Sequence, residues 1–319
     1  MKILVYGAGV LGSVFAAKLH AAGENVTILG RGGRLEFIRE NGIVIRDEME
    51  DLEIHESVRV TDRLNPEDRY DLVLVILRKN QVYSILPILQ DAANVECFAF
   101  LGNNGTGIHE YEEYIPKEKI LLGFAGAAGR REDEKIYAIG TQKPSLVIGE
   151  PSGRITERLE RLRVIFEGAG FGVYFEEKID AWLKTHIALV SPLAMGVYAG
   201  GGDNYRVART PKILKLMVAA VKENRDVLNA LEIPLVPKKL KRMFLIPGFL
   251  LRIILKKLYD SERGYLSLAA HANAARDEMK KITDEFKNLS TLSGVSRPAN
   301  EELYRFFDPE VEPILEEAK

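Results

Sequence analysis

The sequence predicts an α/β chain: an N-terminal domain built on a parallel sheet, residues 1–178, followed by an all-helical domain, residues 179–319. Three observations carry this expectation. Residues 2–29 read as strand, glycine turn, helix, strand, at the size of one βαβ half-unit. Asp71–Leu77 (DLVLVIL) is an unbroken branched apolar run, the signature of a strand covered on both faces in a parallel sheet. Beyond Asp180 strand-like runs become scarce and helical periodicity dominates.

The elements follow in order. Residues 2–6 are a buried strand, Gly7–Gly12 a turn, Ser13–Ala22 a helix and Asn25–Leu29 a second strand. Short strands are expected near Gly42–Ile45 and within Leu52–Val60. After Asp71–Leu77, Asn80–Ala92 reads as one helix and Val95–Leu101 as a strand. Ile120–Phe124 is a strand followed by a small-residue loop, Ala125–Gly129; Ile136–Ile139 and Ser145–Ile148 read as later strands paired antiparallel. A helix at Ile155–Glu167 and a strand at Gly172–Phe175 complete the domain. Trp182–Tyr198, Pro211–Leu231 and Leu266–Leu289 are the main helices of the second.

A net charge of −2 gives no basic excess for a phosphate-binding surface, so no nucleic-acid partner is expected. The one cysteine, Cys97, lies in VECFAFL and can form neither an intrachain disulfide nor a metal cluster. It reads as a buried small hydrophobe and suits a reducing cytosol. The first apolar run reaches Gly7 too soon to be a signal segment, and a cytoplasmic protein is expected. Met243–Leu258 (MFLIPGFLLRIILKKL) is interrupted by Pro247-Gly248 and by Arg252, Lys256 and Lys257. A short helical pair, packed on the core or on a partner, is the expectation; a dimer face and a membrane-surface anchor are the other readings.

Gly7-Ala8-Gly9-Val10-Leu11-Gly12 is a complete G-x-G-x-x-G between a strand and a helix. In a Rossmann-type unit Gly7 allows the tight turn, Gly9 admits a pyrophosphate to the backbone, and Gly12 lets helix and strand pack closely. The pyrophosphate lies at the helix N-terminus, where N–H groups and the dipole favour anions. The second strand then chooses the nucleotide. It ends Leu29-Gly30-Arg31-Gly32-Gly33-Arg34, with guanidinium groups where an NAD site places a carboxylate. Arginine meets a ribose phosphate bidentately, so NADP is the expected cofactor, held by Arg31. Arg34 is the lesser candidate, and both arginines have a plain alternative as solvated surface charges.

Ligands in such sheets bind beyond the carboxyl ends of the strands. Arg78-Lys79-Asn80-Gln81 and Asn104-Gly105-Thr106-Gly107 occupy two of those ends. Arg78 suits a cofactor phosphate or an anionic substrate; Lys79 and Gln81 suit the flank of a helix. Asn104 suits ribose, nicotinamide or substrate, with Asn103 beside it; an Asx turn or helix cap is its structural alternative. Carbonyl reduction also requires a proton donor. Lys184 lies in a mostly apolar helical segment, and His186, two positions on, faces elsewhere. Sequence physics does not single out Glu278 among the acids of its helix.

With these residues in place the chain resembles the ketopantoate reductases (2-dehydropantoate 2-reductases) over nearly its full length. GAGVLG, Arg31, LVLVILRKNQ, the NGTG loop, WLK with Pro192-Leu193, and Gly294…Pro298 fall in family order. The resemblance implies a Rossmann domain and a helical domain with the active site in the cleft. It also implies a homodimer that reduces ketopantoate to pantoate with NADPH. Through it, Gly7, Gly9 and Gly12 match the cofactor glycines, Arg31 the residue facing the adenosine phosphate, and Asn104 an asparagine near nicotinamide and substrate. Lys184 corresponds to the catalytic lysine, and Glu278 to the acid that holds substrate hydroxyls or orients it.

The chain also departs from the pattern. Arg78 stands for a lysine, and Ala188 and Ser191 for asparagines. The spacing from Lys184 to Pro192 is one residue shorter than in the family, and Leu266-Ser267 replaces a serine pair. These changes leave ketopantoate, another 2-oxo acid or a ketone as substrates, and a non-catalytic nucleotide-binding regulator as a reading from another class.

Overall fold

The computed structural model describes residues 1–47 and 51–315. The chain divides into two compact units, Met1–Asp180 and Ala181–Lys319. The first is Rossmann-like and the second largely helical, as the sequence predicts.

In the first unit, β1 (Lys2–Tyr6) leads through the glycine turn into α1 (Val10–Ala21), and β2 (Asn25–Leu29) into α2 (Gly32–Asn41). Then follow β3 (Ile43–Asp47), β4 (Leu52–Glu56), β5 (Arg59–Thr61) and β6 (Leu72–Val75). The predicted helix at Asn80–Ala92 is broken into α3 (Lys79–Val82), a 3-10 turn (Tyr83–Ile85) and α4 (Leu86–Asp91). Pro87 is the reason: it has no N–H to donate backward, and it stands in the first turn of α4, where none is required. After β7 (Phe98–Leu101) come α5 (His109–Glu112), β8 (Ile120–Gly126), β9 (Ala128–Glu132), β10 (Lys135–Ile139), β11 (Ser145–Gly149), α6 (Glu157–Gly168) and β12 (Gly172–Phe175).

Eight strands form the main sheet in the order β12-β11-β8-β7-β6-β1-β2-β5. All neighbours are parallel except β8 and β11. The chain winds from β1 outward to β5, then returns across β1 to β6, so the order reverses between β1 and β6. A crevice at such a switch point is where open α/β sheets bind ligands.

Two expectations are corrected here. Ala125–Gly129 is no loop: its residues fall in β8 and β9 apart from one connecting position. β10 and β11 do not pair. β10 joins β9 antiparallel and β3 parallel in a second sheet, β4-β3-β10-β9, whereas β11 pairs with β8. Alternating apolar residues allow either partner; the choice belongs to whichever sheet offers an open edge.

The second unit opens in α7 (Ile179–Ala199) and continues through α8 (Asn204–Arg209) and α9 (Pro211–Ala230). The Met243–Leu258 stretch is the expected helical pair, α10 (Lys238–Leu245) and α11 (Gly248–Tyr259), hinged at Ile246-Pro247. Among the described residues no helix is long and apolar enough to cross a membrane. The predicted helix Leu266–Leu289 is interrupted. A turn α12 (Glu262–Gly264) enters a π-helical turn at Tyr265–Ala269, followed by α13 (Ala270–Ala274) and α14 (Arg276–Thr291). Ala275, at φ −129° and ψ 38°, separates the last two. α15 (Pro298–Tyr304) packs against α9.

Pro192 sits inside α7 and offers no N–H to the carbonyl of Ala188, four residues earlier. Asn224 of α9 supplies the missing donor: its Nδ2 meets that carbonyl at 2.9 Å. The Asn224 Oδ1 in turn accepts from Arg297 Nε and Nη2 at 3.2 and 2.9 Å, and Arg297 Nη1 donates to Ser290 Oγ at 2.9 Å. Arg297 is buried, and its guanidinium lies over the Phe286 ring. This network joins α7, α9, α14 and the lead into α15.

Asn224→Ala is expected to destabilise the protein by about 1–3 kcal/mol, because it leaves both the Ala188 carbonyl and the Arg297 guanidinium short of a partner. Urea unfolding measures this; a change within experimental scatter would remove the network from the account of α7.

Candidate active site

The glycine turn has the geometry that its sequence implies. Gly7 has φ +124°, and a Cβ there would collide with the carbonyl oxygen of Ile76, at the end of β6. The turn after β1 and the end of β6 therefore touch at the switch point. A Cβ on Gly12 would strike the Gly7 carbonyl, so α1 lies against its own turn only because Gly12 has none. At Gly9, by contrast, a Cβ would meet no protein atom within 4 Å. Gly9 caps α1 with no side-chain hydrogen bond, and the first intrahelical bond is Ser13 N–H to the Gly9 carbonyl at 2.9 Å. Val10, Leu11 and Gly12 thus present the first-turn N–H groups that a helix does not use internally. This fits the pyrophosphate of a nucleotide cofactor, and the Rossmann-like fold suggests such a cofactor.

Arg31 is exposed just past β2, at the N-cap of α2, with Nη2 3.4 Å from the Tyr6 hydroxyl at the end of β1. Burial raises the Tyr6 hydroxyl above its ordinary range, and the Arg31 charge and hydrogen bond oppose the shift. Arg78 is half-buried after β6 and caps α3. Asn104 follows β7. The strand order β7-β6-β1-β2 therefore sets Asn104, Arg78, the glycine turn and Arg31 in sequence along one edge of the sheet.

Asn104 is turned into its own loop. Its Oδ1 accepts from Thr106 N, Thr106 Oγ1 and Gly107 N, each at 3.0 Å, and its Nδ2 donates to the Gly107 carbonyl at 2.7 Å. That is the Asx-turn alternative weighed for this residue. Lys79, on the same edge, is only 2% exposed. Its ammonium donates to Glu110 Oε2 at 2.7 Å, Thr106 Oγ1 at 3.2 Å, Tyr111 OH at 3.3 Å and Asn104 Oδ1 at 3.4 Å. It is the hub that holds the NGTG loop onto α5.

Arg34 departs from what the sequence predicts. It is neither a solvated charge nor a group reaching outward: it is 4% exposed and bonded to the glycine turn from within. The signal was present in α2, where Arg34 shares an i, i+4 face with buried Ile38.

In the second unit, Lys184 lies near the start of α7, on one face with Asp180 and Ala188. His186 faces elsewhere, as expected, and stacks on Trp182 with ring centroids 5.2 Å apart and planes at 7°. Glu278 is buried in the first turn of α14, where the helix dipole favours a carboxylate. Its Oε2 lies 3.9 Å from His271 Nε2, a neighbour that the sequence did not single out. Ser191, at a departure from the family pattern, is buried, and its Oγ meets no protein partner.

Known proteins resemble this chain at the level of family and fold. Residues 3–153 match the family model described as ketopantoate reductase PanE/ApbA. A 2-dehydropantoate 2-reductase of Lactococcus lactis is 27% identical over 56% of this chain and 58% of its own length, so the chain spans less than three fifths of that relative. The fold is that of a D-mandelate dehydrogenase solved with NADH and anilino(oxo)acetate, at TM-score 0.79 and 18% identity over 97% of both chains. It is also that of a 2-dehydropantoate 2-reductase from Geobacter metallireducens, at TM-score 0.79 and 20% identity over 98% of this chain and 100% of the other. The match is at family level, over just under half of the chain, and with the low identities it is consistent with a divergent member.

Two outcomes test the local geometry. Lys79→Met is expected to lower stability by about 1–3 kcal/mol in urea unfolding, since Glu110 and the loop lose a charge-assisted donor; an unchanged midpoint would deny Lys79 the role of hub. Burial pushes the His186 imidazole down to about 4, with the His271 charge adding to the effect. The unfolded chain therefore binds this proton first, from the ordinary value of 6.5 downward. The stability that neutral His186 confers is whole above that value and is lost as pH falls toward about 4. His186→Phe should keep the stack on Trp182 and flatten the fall in unfolding free energy across that window; an identical slope in both proteins would refute the assignment.

Proposed function

We propose that this chain is a divergent member of the ketopantoate reductase family and an NADPH-dependent reductase of 2-oxo acids. The observation that carries the reading is the glycine turn at the β1/β6 switch point, with Arg31 rather than a carboxylate at the end of β2. The nicotinamide cofactor supplies a hydride to the keto carbon, giving a 2-hydroxy acid and the oxidised dinucleotide.

The chain's own residues supply the rest. The backbone of Gly7–Gly12 holds the pyrophosphate, with Ala8, Val10 and Leu11 among the residues along it. Arg31 pairs with the ribose phosphate that distinguishes NADPH from NADH. Arg78 provides positive charge at the end of β6 for a cofactor phosphate or the substrate carboxylate. Asn104 contributes through the loop it shapes, beside the nicotinamide. Lys184 Nζ donates a proton to the keto oxygen as negative charge develops there, so that no free alkoxide forms. Glu278 holds substrate hydroxyls or places the lysine. The family resemblance further supports a homodimer, and the buried Cys97 thiol suits the cytosol.

Ketopantoate is the substrate that the descriptions of the matching family and relatives name. A 2-oxo acid with a different side chain is the broader reading. It is supported by Ala188 and Ser191 in place of polar family residues and by a fold neighbour that is a D-mandelate dehydrogenase. A site with fewer donors for a hydroxylated side chain discriminates less against analogues that lack the hydroxyl. That neighbour was solved with NADH, so among the residues of this chain the preference for NADPH rests on Arg31.

NADPH oxidation is to be followed with ketopantoate and with a panel of aliphatic and aryl 2-oxo acids. Turnover of at least one is expected, and Lys184→Ala should lower kcat by about a hundredfold or more while NADPH affinity holds. No turnover across the panel would refute the reductase reading. Unchanged kcat in Lys184→Ala would refute the proton-donor role.

A further inference from the structure

Arg34 is set behind the glycine turn, on three acceptors. Its Nε donates to the Ala8 carbonyl at 3.0 Å, its Nη2 to Ser13 Oγ at 2.8 Å, and its Nη1 to the carbonyl of Glu134 in the β9–β10 turn. Ser13 stands in the first turns of α1, and its Oγ lies 3.5 Å from the same Ala8 carbonyl. Burial lowers the guanidinium to about 10, so it remains a cation at neutral pH. A buried cation is costly, and an apolar side chain of similar volume would fill the space at less cost. Its retention calls for a reason beyond packing.

The peptide plane supplies one. The Ala8–Gly9 bond is planar and trans, so the Ala8 carbonyl and the Gly9 N–H point in opposite directions. By holding the carbonyl inward, Arg34 aims the Gly9 N–H to the opposite side of the peptide, on a residue whose absent Cβ would itself meet no protein atom. A second observation ties the second sheet to this hold. Asp133 and Glu134 close the β9–β10 hairpin with φ of 45° and 63°, a left-handed pair without glycine, and such strain persists where its surroundings hold it. Arg34 grips that turn at the carbonyl of Glu134.

We propose that Arg34 is a positioning residue for the dinucleotide, setting the Gly9 N–H and placing a buried positive charge behind the pyrophosphate turn. The inference rests on the nucleotide-binding part of the function proposed above. Because the pyrophosphate is common to NADPH and NADH, Arg34 acts on both alike, whereas Arg31 acts on the phosphate that only NADPH has.

Calorimetric titration of wild type, Arg34→Gln, Arg34→Lys and Arg31→Ala with NADPH and with NADH tests this. Arg34→Gln should weaken both dinucleotides by about tenfold, the scale of one charge-assisted hydrogen bond, and leave their ratio unchanged. Arg34→Lys, which keeps the charge but not the fork, should lose less. Arg31→Ala should collapse the ratio. In Arg34→Ala, added guanidinium should restore affinity for both dinucleotides without a matching rise in melting temperature, which a purely structural role would not give. Unchanged affinities in Arg34→Gln, or a loss confined to NADPH, overturn the proposal. Should Arg34→Gln fail to fold, Arg34→Lys with wild-type affinities for both overturns it equally. A wild-type protein that binds neither dinucleotide refutes the nucleotide reading itself, and this inference with it.

Discussion

The nucleotide edge depends on how closely α1 lies against the turn that introduces it. Any side chain at Gly12 would occupy the place of the Gly7 carbonyl, and any at Gly7 would occupy that of the Ile76 carbonyl. Two absent methyl groups therefore let three backbone segments, the end of β1, the start of α1 and the end of β6, meet at one point. With α1 displaced, its first-turn N–H groups would no longer converge on the switch point, and Arg34 would lose its alignment with Ala8 and Ser13.

Polar side chains do much of the internal holding. Arg34 binds the glycine turn and the β9–β10 turn, Lys79 binds the NGTG loop to α5, and Arg297 with Asn224 repairs the carbonyl that Pro192 orphans in α7. Each is a buried donor with several acceptors. Such hubs confer geometry more than stability: a satisfied network specifies one arrangement, and a half-satisfied one is worse than an apolar core. All three hubs lie next to backbone that cannot satisfy itself, whether a tight turn, an Asx loop or a proline inside a helix.

The site was legible to different depths. Gly7, Gly9 and Gly12 were readable because their spacing encodes a backbone shape, and the backbone adopts it. The place of Arg31 was readable because it follows a strand end, and the structure leaves it exposed there. Arg34, three residues on, stood as the lesser candidate for the same role, and the inward face of α2 gives it a different one. Asn104 had two readings of equal chemical merit; its carboxamide is taken up by Thr106 and Gly107, which only coordinates reveal. His271, beside Glu278, was not read from the sequence, because in the continuous helix expected over Leu266–Leu289 it stands two full turns away, and the break at Ala275 lies between them.

By itself the sequence determined the fold class, the order of most strands and of the main helices, and the glycine turn with the cationic residue after β2. These follow from local periodicity and from the steric uniqueness of glycine, which act over a few residues. The tertiary structure decided which strands share a sheet, which arginine faces outward, and where Pro87, Pro192 and Ala275 interrupt helices or leave them whole. Those outcomes depend on partners distant in the chain: the open edge of a second sheet for β10, the Glu134 carbonyl for Arg34, and Asn224 for the Ala188 carbonyl. A buried polar group takes the nearest partner that folding brings to it, and that proximity is a property of the packed chain rather than of any stretch of its letters.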